Sequence, residues 1–160
     1  MLAVPVIALG TTVLLGFVVA IVPVFPIEPV VIGAAVATHG WAVPIGIAAG
    51  LGQAAGKTVV LLGTRGAVKA AWIQRLASRW SKPPSSSGRF IQRITALLDR
   101  PVLAAPIVFL AAGTGIPPLA IVVFYAAKTR MSWLLFFLVA LAGRMLFFTA
   151  IALVPGFFTT

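Results

Sequence analysis

Few side chains in this 160-residue chain could take part in chemistry. The acids are Glu28 and Asp99, the histidine is His39, and cysteine is absent. A metal site or a hydrolytic centre needs a cluster of such groups. The composition therefore argues against an enzyme and against a bound metal or organic cofactor. Asp99 is expected to be a surface cap or a local ion partner.

Glu28 is the acid with the most unusual surroundings. It stands among Pro23, Pro26 and Pro29 in an otherwise apolar region. Proline interrupts helices, and a charged side chain at membrane depth is costly enough to mark a functional site. We expect a broken helix here, with the carboxylate at its tip.

Arg144 is the basic counterpart of Glu28. It lies near the middle of an apolar run, residues 132–154, and a guanidinium can bind a phosphate through two parallel hydrogen bonds. Glu28 could pair with Arg144 while the site is empty, and release it or take up a proton when a phosphate arrives. A structural ion pair that holds the two segments together explains the same pattern equally well.

Three further polar residues are candidates for contact with an anionic substrate: Gln53, Lys57 and Arg130. Gln53 either lines the substrate path or forms a helix–helix hydrogen bond. Lys57 lies about two turns from the end of its apolar run, so snorkelling to the surface is its first expected role and guidance of a phosphate its second. His39 is expected to be an ordinary interfacial residue rather than a pH switch.

A lipid bilayer is the environment that the composition predicts. Hydrophobic residues make up 61% of the chain and charged residues 9%, against about 25% charged residues in a typical soluble domain. The mean hydropathy is +1.16. Residues 1–22, 42–63 and 132–154 are apolar runs long enough to cross the hydrocarbon core. We expect a multi-pass protein of the cell membrane.

The apolar runs are interrupted at two places. The expected tips are Pro26 and Pro29 in the first break and Gly113, Gly115, Pro117 and Pro118 in the second. Each break is followed by a short apolar arm, a turn near a tryptophan and a full-length run. Non-helical backbone at membrane depth must be buried in protein or line a water-filled cavity. We therefore predict two re-entrant hairpins that enter from opposite faces and meet near the midplane. The alternative is that residues 101–127 cross the membrane fully, which would place Lys128 and Arg130 on the outer side.

The predicted fold is an all-α integral membrane protein built as an inverted repeat. Each repeat comprises a re-entrant hairpin and a transmembrane helix, over residues 1–63 and 101–160. Gly52-Gln53 and Gly143-Arg144 fall at similar depths in the two long runs. In addition, the first of these runs has two small-xxx-small spacings, which allow close helix packing in lipid. They are formed by Gly46, Gly50, Gly52 and Gly56.

Residues 64–100 form a basic linker that carries much of the net charge of +10. Val68, Trp72, Leu76 and Trp80 recur every four residues, which predicts an amphipathic helix on the membrane surface. Basic clusters at the ends of apolar runs are typical of cytoplasmic loops and of contact with anionic headgroups. We therefore place the linker in the cytoplasm and expect membrane lipids, not nucleic acid, as partners. Assembly into a homo-oligomer stays open.

Several short motifs resemble the DedA superfamily, also called VTT-domain or SNARE-associated membrane proteins. Phe25-Pro26-Ile27-Glu28 is similar to the proline–acid signature of its first re-entrant segment. Residues 113–118 and 126–133 are similar to its second re-entrant loop and the following turn. Residues 143–148, beginning with Gly143-Arg144, resemble its Gly-Arg element, and residues 52–57 sit where it has a glycine-rich span.

The resemblance implies translocation of phospholipids or polyprenyl phosphates, in several members driven by a proton or sodium gradient. The chain departs from the pattern in three respects. It is short, its second break has no acid, and Phe147 or Phe148 replaces a second arginine expected near Arg144. These departures bear on proton coupling and on specificity for polyprenyl phosphate.

The sequence thus predicts a transporter or scramblase for an anionic lipid. Two alternatives stay open. One is a proton-coupled transporter of small cations or drugs that uses Glu28 as its proton site. The other is a structural membrane subunit that uses the linker as a docking platform.

Overall fold

The computed structural model describes residues 3–22, 25–66, 71, 75, 88–98, 100–116 and 118–157. Within these ranges the elements are α1 (Ala3–Ile21), α2 (Glu28–Ala37), α3 (Ala42–Thr64), α4 (Gly88–Leu98), α5 (Pro101–Thr114), α6 (Leu119–Ala126), α7 (Trp133–Leu153) and a 3-10 helix (Val154–Phe157). The expectations for Pro23, Asp99 and Pro117, and those for the stripe from Val68 to Trp80, fall on residues outside these ranges.

Three of the described helices are long and apolar enough to cross a membrane: Ala3–Ile21, Ala42–Thr64 and Trp133–Gly156. The all-α, multi-pass membrane character that the sequence predicts is therefore confirmed. Ala42–Thr64 is largely buried, whereas the other two expose apolar side chains such as Ile7 and Leu138. Thus α3 forms the centre of the bundle, and α1 and α7 present apolar faces to their surroundings.

Glycines on α3 let two neighbouring helices approach its backbone. Gly46 and Gly50 face α7, whereas Gly52 and Gly56 face α1. A Cβ on Gly50 would lie 2.8 Å from the Met145 nitrogen, and a Cβ on Gly52 would lie 2.9 Å from the Phe17 nitrogen. These distances leave no room for a methyl group. The predicted small-residue spacings are therefore confirmed as sites of close packing.

The same contacts establish that α3 and α7 are antiparallel. Gly46 meets Thr149, and Gly50, four residues later, meets Met145, four residues earlier. The start of α3 consequently lies level with the end of α7. The turn that contains His39 lines a cavity together with the last residues of α7 and the following 3-10 helix, which agrees with this arrangement.

In contrast, α1 runs parallel to α3. Gly52 meets Val13, and Gly56 meets Ala20, so both helices advance in the same direction. The end of α1 is therefore level with Gly56, about two turns before α3 ends. The chain then breaks and returns through α2 to the start of α3. We call α1 and α2 the first hairpin; both of its outer ends lie at one end of the bundle.

The second hairpin, α5 and α6, has the same relation to α7. Ala104 and Leu135 line one cavity, and Ala112 contacts the backbone around Gly143. Ala112 follows Ala104 by eight residues, and Gly143 follows Leu135 by eight residues. The two helices therefore advance in the same direction, and α5 and α7 are parallel. Because α3 and α7 are antiparallel, the outer ends of the second hairpin lie at the opposite end of the bundle from those of the first.

The boundaries of the elements repeat at a constant spacing. α2 begins at Glu28 and α6 begins 91 positions later, at Leu119. α3 begins at Ala42 and α7 also begins 91 positions later, at Trp133. The two halves of the chain thus share one order of elements: helix, break, short helix, turn and long helix.

Arg65 joins the end of α3 to the turn that follows α6. Its Nε donates to the Ala127 carbonyl at 3.1 Å. Its Nη2 lies within hydrogen-bond distance of three more carbonyls, those of Ala126 and Thr129, each at 3.1 Å, and that of Met131, at 2.6 Å. The sequence assigns Arg65 to the basic linker, so this role in fixing the second hairpin was not predicted.

Gly50→Ala should lower the free energy of unfolding by about 1–3 kcal/mol, because the new methyl group forces α3 away from α7. The matched control is Gly10→Ala on α1, where nothing lies within 4 Å of an added Cβ. This variant should be neutral or stabilising by up to about 1 kcal/mol. SDS-induced unfolding in detergent micelles measures both. An equal change in the free energy of unfolding in the two variants would contradict the close contact between α3 and α7 at Gly50.

Arg65→Lys should lower the free energy of unfolding by about 2 kcal/mol, because an ammonium cannot form all the hydrogen bonds that the planar guanidinium donates to several carbonyls. The control is Arg93→Lys, since Arg93 is exposed on α4. The measurement is again SDS-induced unfolding. If Arg65→Lys is as stable as Arg93→Lys, the contacts of Arg65 do not hold the turn.

Candidate functional site

A central cavity of about 280 Å³ lies where the two breaks meet α3 and α7. The first break and α2 contribute Phe25, Pro26, Ile27 and Glu28, and α3 contributes Gln53 and Lys57. The second break and α6 contribute Gly115, Pro118, Leu119 and Ala120. Val19 of α1 and Arg144 and Phe147 of α7 complete the lining.

Most of the predicted site residues therefore meet in one place. Glu28, Gln53, Lys57 and Arg144 line this cavity together with the tip residues Pro26, Gly115 and Pro118. The functional role of each remains a prediction. Among the described residues, no group of histidine and acidic side chains could hold a metal ion.

Three predicted residues lie away from the central cavity. Arg130 is exposed and lines a different cavity from Arg144, so a role for Arg130 in contact with an anionic substrate remains a prediction. Pro29 is exposed in the first turn of α2, where a proline fits because the first turn needs no internal hydrogen bond from its nitrogen. Gly113 packs near Gly143 instead of facing the cavity.

Arg144 projects from α7 with its guanidinium between aromatic rings and the cavity. Its Cζ lies 5.4 Å from the ring centroid of Phe147 and 5.7 Å from that of Phe148. Its Nε is buried and, among the described residues, has no hydrogen-bond partner. A buried donor without a partner costs about 1–3 kcal/mol, which cation–π contacts offset only in part. The guanidinium therefore has unused capacity to bind an anion.

Glu28 faces Arg144 across the cavity without touching it. The two side chains attract each other electrostatically. Among the described residues, however, neither belongs to an ion pair within 4.0 Å. The structural ion pair considered from the sequence is thus not formed as a direct contact. Both side chains nevertheless line the same cavity.

Lys57 is buried, and the expectation that it snorkels to the surface is wrong. Its Nζ donates to the Ala20 carbonyl at 2.8 Å. This carbonyl belongs to the last turn of α1, where carbonyls lack partners within the helix and attract cations. The ammonium also repels Arg144 electrostatically. Lys57 therefore adds a second positive charge to the cavity.

Gln53 is 7% exposed and occupies the position in α3 that Arg144 occupies in α7. It follows Gly52 as Arg144 follows Gly143, and the two pairs are 91 positions apart. Among the described residues its side chain makes no hydrogen bond, so the helix–helix bond considered from the sequence is not formed. The two long helices thus place a polar side chain at equivalent positions, and both of these side chains line the cavity.

Two helix N-termini also point at the cavity. Glu28 begins α2, and Pro118 precedes α6, whose first two residues line the cavity. The N–H groups of Leu119 and Ala120 have no acceptor among the described residues, because the first bond to Pro118 comes from Ile121. Helix N-termini attract anions through such free donors and the helix dipole.

The second break has a defined local geometry. α5 ends with Gly115 at φ +75°, a left-handed conformation that glycine adopts without strain. The Gly115 nitrogen donates to the Ala111 carbonyl, and the Ile116 nitrogen donates to Thr114 Oγ1. Pro118 then starts α6 in a new direction.

The rings around Arg144 were not predicted as part of the site. Phe147 and Phe148 follow Arg144 by three and four residues, the spacing that places side chains on one helix face. That spacing was a usable signal. The resemblance described above involves these two positions only as a replacement for a second arginine.

Comparison of the chain with models of protein families, with curated proteins and with solved structures finds no match.

Arg144→Met should leave the free energy of unfolding within about 1 kcal/mol of the parent value, because removal of a buried unpaired donor offsets the lost cation–π contacts. Glu28→Gln should be similarly tolerated. Urea or SDS titration in micelles measures both. If each variant loses about 3 kcal/mol or more, the two residues are a structural pair and not parts of an open site.

Proposed function

We propose that this chain is a membrane transporter or scramblase that passes the phosphate headgroup of an anionic lipid through the central cavity. The observation that carries the proposal is the guanidinium of Arg144. It lies at a cavity within an apolar bundle, and its buried Nε has no partner among the described residues. Intramembrane charge of this kind is too costly to be retained without use.

The charge balance of the cavity favours an anion over a cation. Among the described lining residues, Arg144 and Lys57 are cationic and Glu28 is acidic. Two helix N-termini add partial positive charge. A small-cation transporter that uses Glu28 as its proton site would need the reverse balance, so this alternative is the weaker one.

The size of the cavity favours a headgroup and not a whole lipid. Its volume of about 280 Å³ is at the lower limit of small-molecule pockets. Phe25, Pro26 and Pro118 on its lining are exposed, and so is Ile116 beside it. An apolar, open rim lets acyl chains stay in the bilayer while the phosphate is inside.

We interpret the two halves as an inverted repeat of re-entrant hairpins in the membrane. Supporting this are the constant spacing of 91 positions and the parallel packing of each hairpin on its own long helix. Because α3 and α7 are antiparallel, the two hairpins enter from opposite ends of the bundle. Transporters with this architecture bind substrate where the broken helices meet.

The end of the bundle that holds Arg65, Lys128 and Arg130 is proposed to be cytoplasmic. The basic linker emerges there, whereas the described residues at the other end, around His39 and Gly156, include no lysine or arginine. This asymmetry follows the positive-inside rule.

The proposed transport step exchanges partners of Arg144. An arriving phosphate forms the close, bidentate contact with the guanidinium that Glu28 does not make. Glu28 then stays solvated in the cavity or takes up a proton. Membership of the DedA superfamily, polyprenyl phosphate as substrate, and coupling to a proton or sodium gradient all remain predictions from the resemblance.

Arg144→Met and Glu28→Gln should each slow lipid translocation at least about tenfold, the scale of one lost charge-assisted contact. Liposomes with the reconstituted chain and a fluorescent phosphatidylglycerol, bleached from outside by dithionite, report the rate. Arg144→Lys should recover only part of it, because an ammonium offers no bidentate fork.

The matched control is Arg93→Gln, which removes a positive charge from an exposed site on α4. It should translocate as the parent does. If Arg144→Met and Glu28→Gln also match the parent, the central cavity is not the lipid path. Absence of translocation by the parent itself would favour the structural-subunit alternative.

A further inference from the structure

A second and larger cavity, of about 640 Å³, lies at the end of the bundle where α7 begins. We call it the turn cavity. Its described lining comes from α4, α5 and the turn into α7: Leu98, Ala104, Lys128, Thr129, Arg130, Met131, Ser132 and Leu135. None of these residues lines the central cavity.

The polar groups of the turn cavity are cations and hydroxyl donors. Arg130 is exposed and, within the described part of the chain, has neither a hydrogen bond nor an ion pair. The Lys128 ammonium lies 5.4 Å from the Tyr125 ring centroid, a contact that leaves its N–H donors available. Ser132 Oγ accepts from the Leu135 nitrogen, so its own hydrogen remains free to donate.

The rest of the lining is apolar. Leu98, Ala104 and Met131 are buried, and Leu135, in the first turn of α7, is exposed. Arg65 fixes the turn from behind through the Thr129 and Met131 carbonyls. The cavity thus combines a rigid cationic rim with an apolar interior.

We propose that the turn cavity binds one anionic phospholipid of the adjacent leaflet. Lys128 and Arg130 contact its phosphate, and the first carbons of its chains lie on Leu98 and Leu135. The volume is in the range of small-molecule pockets and more than twice that of the central cavity, so headgroup and glycerol fit together. A soluble phosphate would leave the apolar interior unfilled, and the two cations favour an anionic lipid over a zwitterionic one.

Lipid binding in the turn cavity does not depend on transport. It requires only that the helices span a membrane, and its residues are separate from those tested by translocation. A lipid held here could load the central cavity or serve only to anchor the second hairpin. The binding experiment is the same in both cases.

The experiment uses the absence of cysteine from the chain. Leu135→Cys is labelled with bimane and reconstituted in phosphatidylcholine nanodiscs that contain a spin-labelled lipid. Spin-labelled phosphatidylglycerol should quench the bimane fluorescence at a mole fraction about five- to thirtyfold lower than spin-labelled phosphatidylcholine, the scale of one or two basic contacts at a membrane. In the Lys128→Gln/Arg130→Gln variant this preference should vanish.

The charge-matched control is Arg89→Gln/Arg93→Gln, which removes two exposed positive charges from α4. The preference should survive in it. Equal quenching by the two lipids in the parent would overturn the proposal. So would a preference that survives loss of Lys128 and Arg130, or one that is lost equally in the α4 control. Displacement of the lipid by millimolar glycerol phosphate would also contradict it, since the apolar contacts would then be irrelevant.

Discussion

The close approach of backbones at the glycines of α3 is the constraint on which the rest of the structure depends. The backbone of α7 packs directly on Gly50, and the backbone of α1 packs directly on Gly52. Both helices thus contact α3 without an α3 side chain between them. Gly143 allows the same contact of α5 with α7. In lipid there is little hydrophobic force between helices, and contact of this kind supplies the attraction instead. Gln53 and Arg144 each follow such a glycine. The close packing therefore fixes how the helix is rotated and which side chains line the cavity.

This arrangement explains how an apolar bundle can hold charge at its centre. A broken helix leaves free N–H groups, and the close packing places two such breaks around one small cavity. The cavity supplies the polar environment that non-helical backbone needs in a membrane. Among the described residues, the buried Nε of Arg144 has no hydrogen-bond partner. The buried threonine hydroxyls and the Lys57 ammonium do have partners. Gln53 is buried and makes no hydrogen bond within the described part of the chain, and it lines the same cavity as Arg144.

Much of the fold could be predicted because helix-breaking residues and apolar runs are local signals. The long helices, both breaks and the glycine spacings follow from residue types alone, and the meeting of Glu28 with Arg144 follows from depth along those runs. Lys57 could not be placed, because depth does not say whether a side chain faces lipid or another helix. Its acceptor is a backbone carbonyl of α1, which no side-chain pattern reveals. Arg65 was missed for the same reason, since all its partners are carbonyls.

Arg130 illustrates a different limit. Its basic side chain predicts contact with an anionic substrate, but the sequence does not show that Arg130 and Arg144 lie on separate cavities. Sequence distance along α6 and the turn carries the residue to the end of the bundle, about 12 Å per eight residues of helix. Chemistry suitable for an anion therefore occurs at two levels of the molecule, and only the packing distinguishes them.

The hydrogen bond from Lys57 to Ala20 has a thermodynamic consequence. A single ammonium fastens the last turn of α1, and the same ammonium is within reach of the cavity. An ammonium has three N–H donors, so Lys57 can hold the Ala20 carbonyl and still offer donors to the cavity. The bond therefore fixes the end of α1 to α3 and at the same time fixes the ammonium at the cavity lining. The position of the hairpin and the position of this charge are thus coupled, and such coupling is reciprocal.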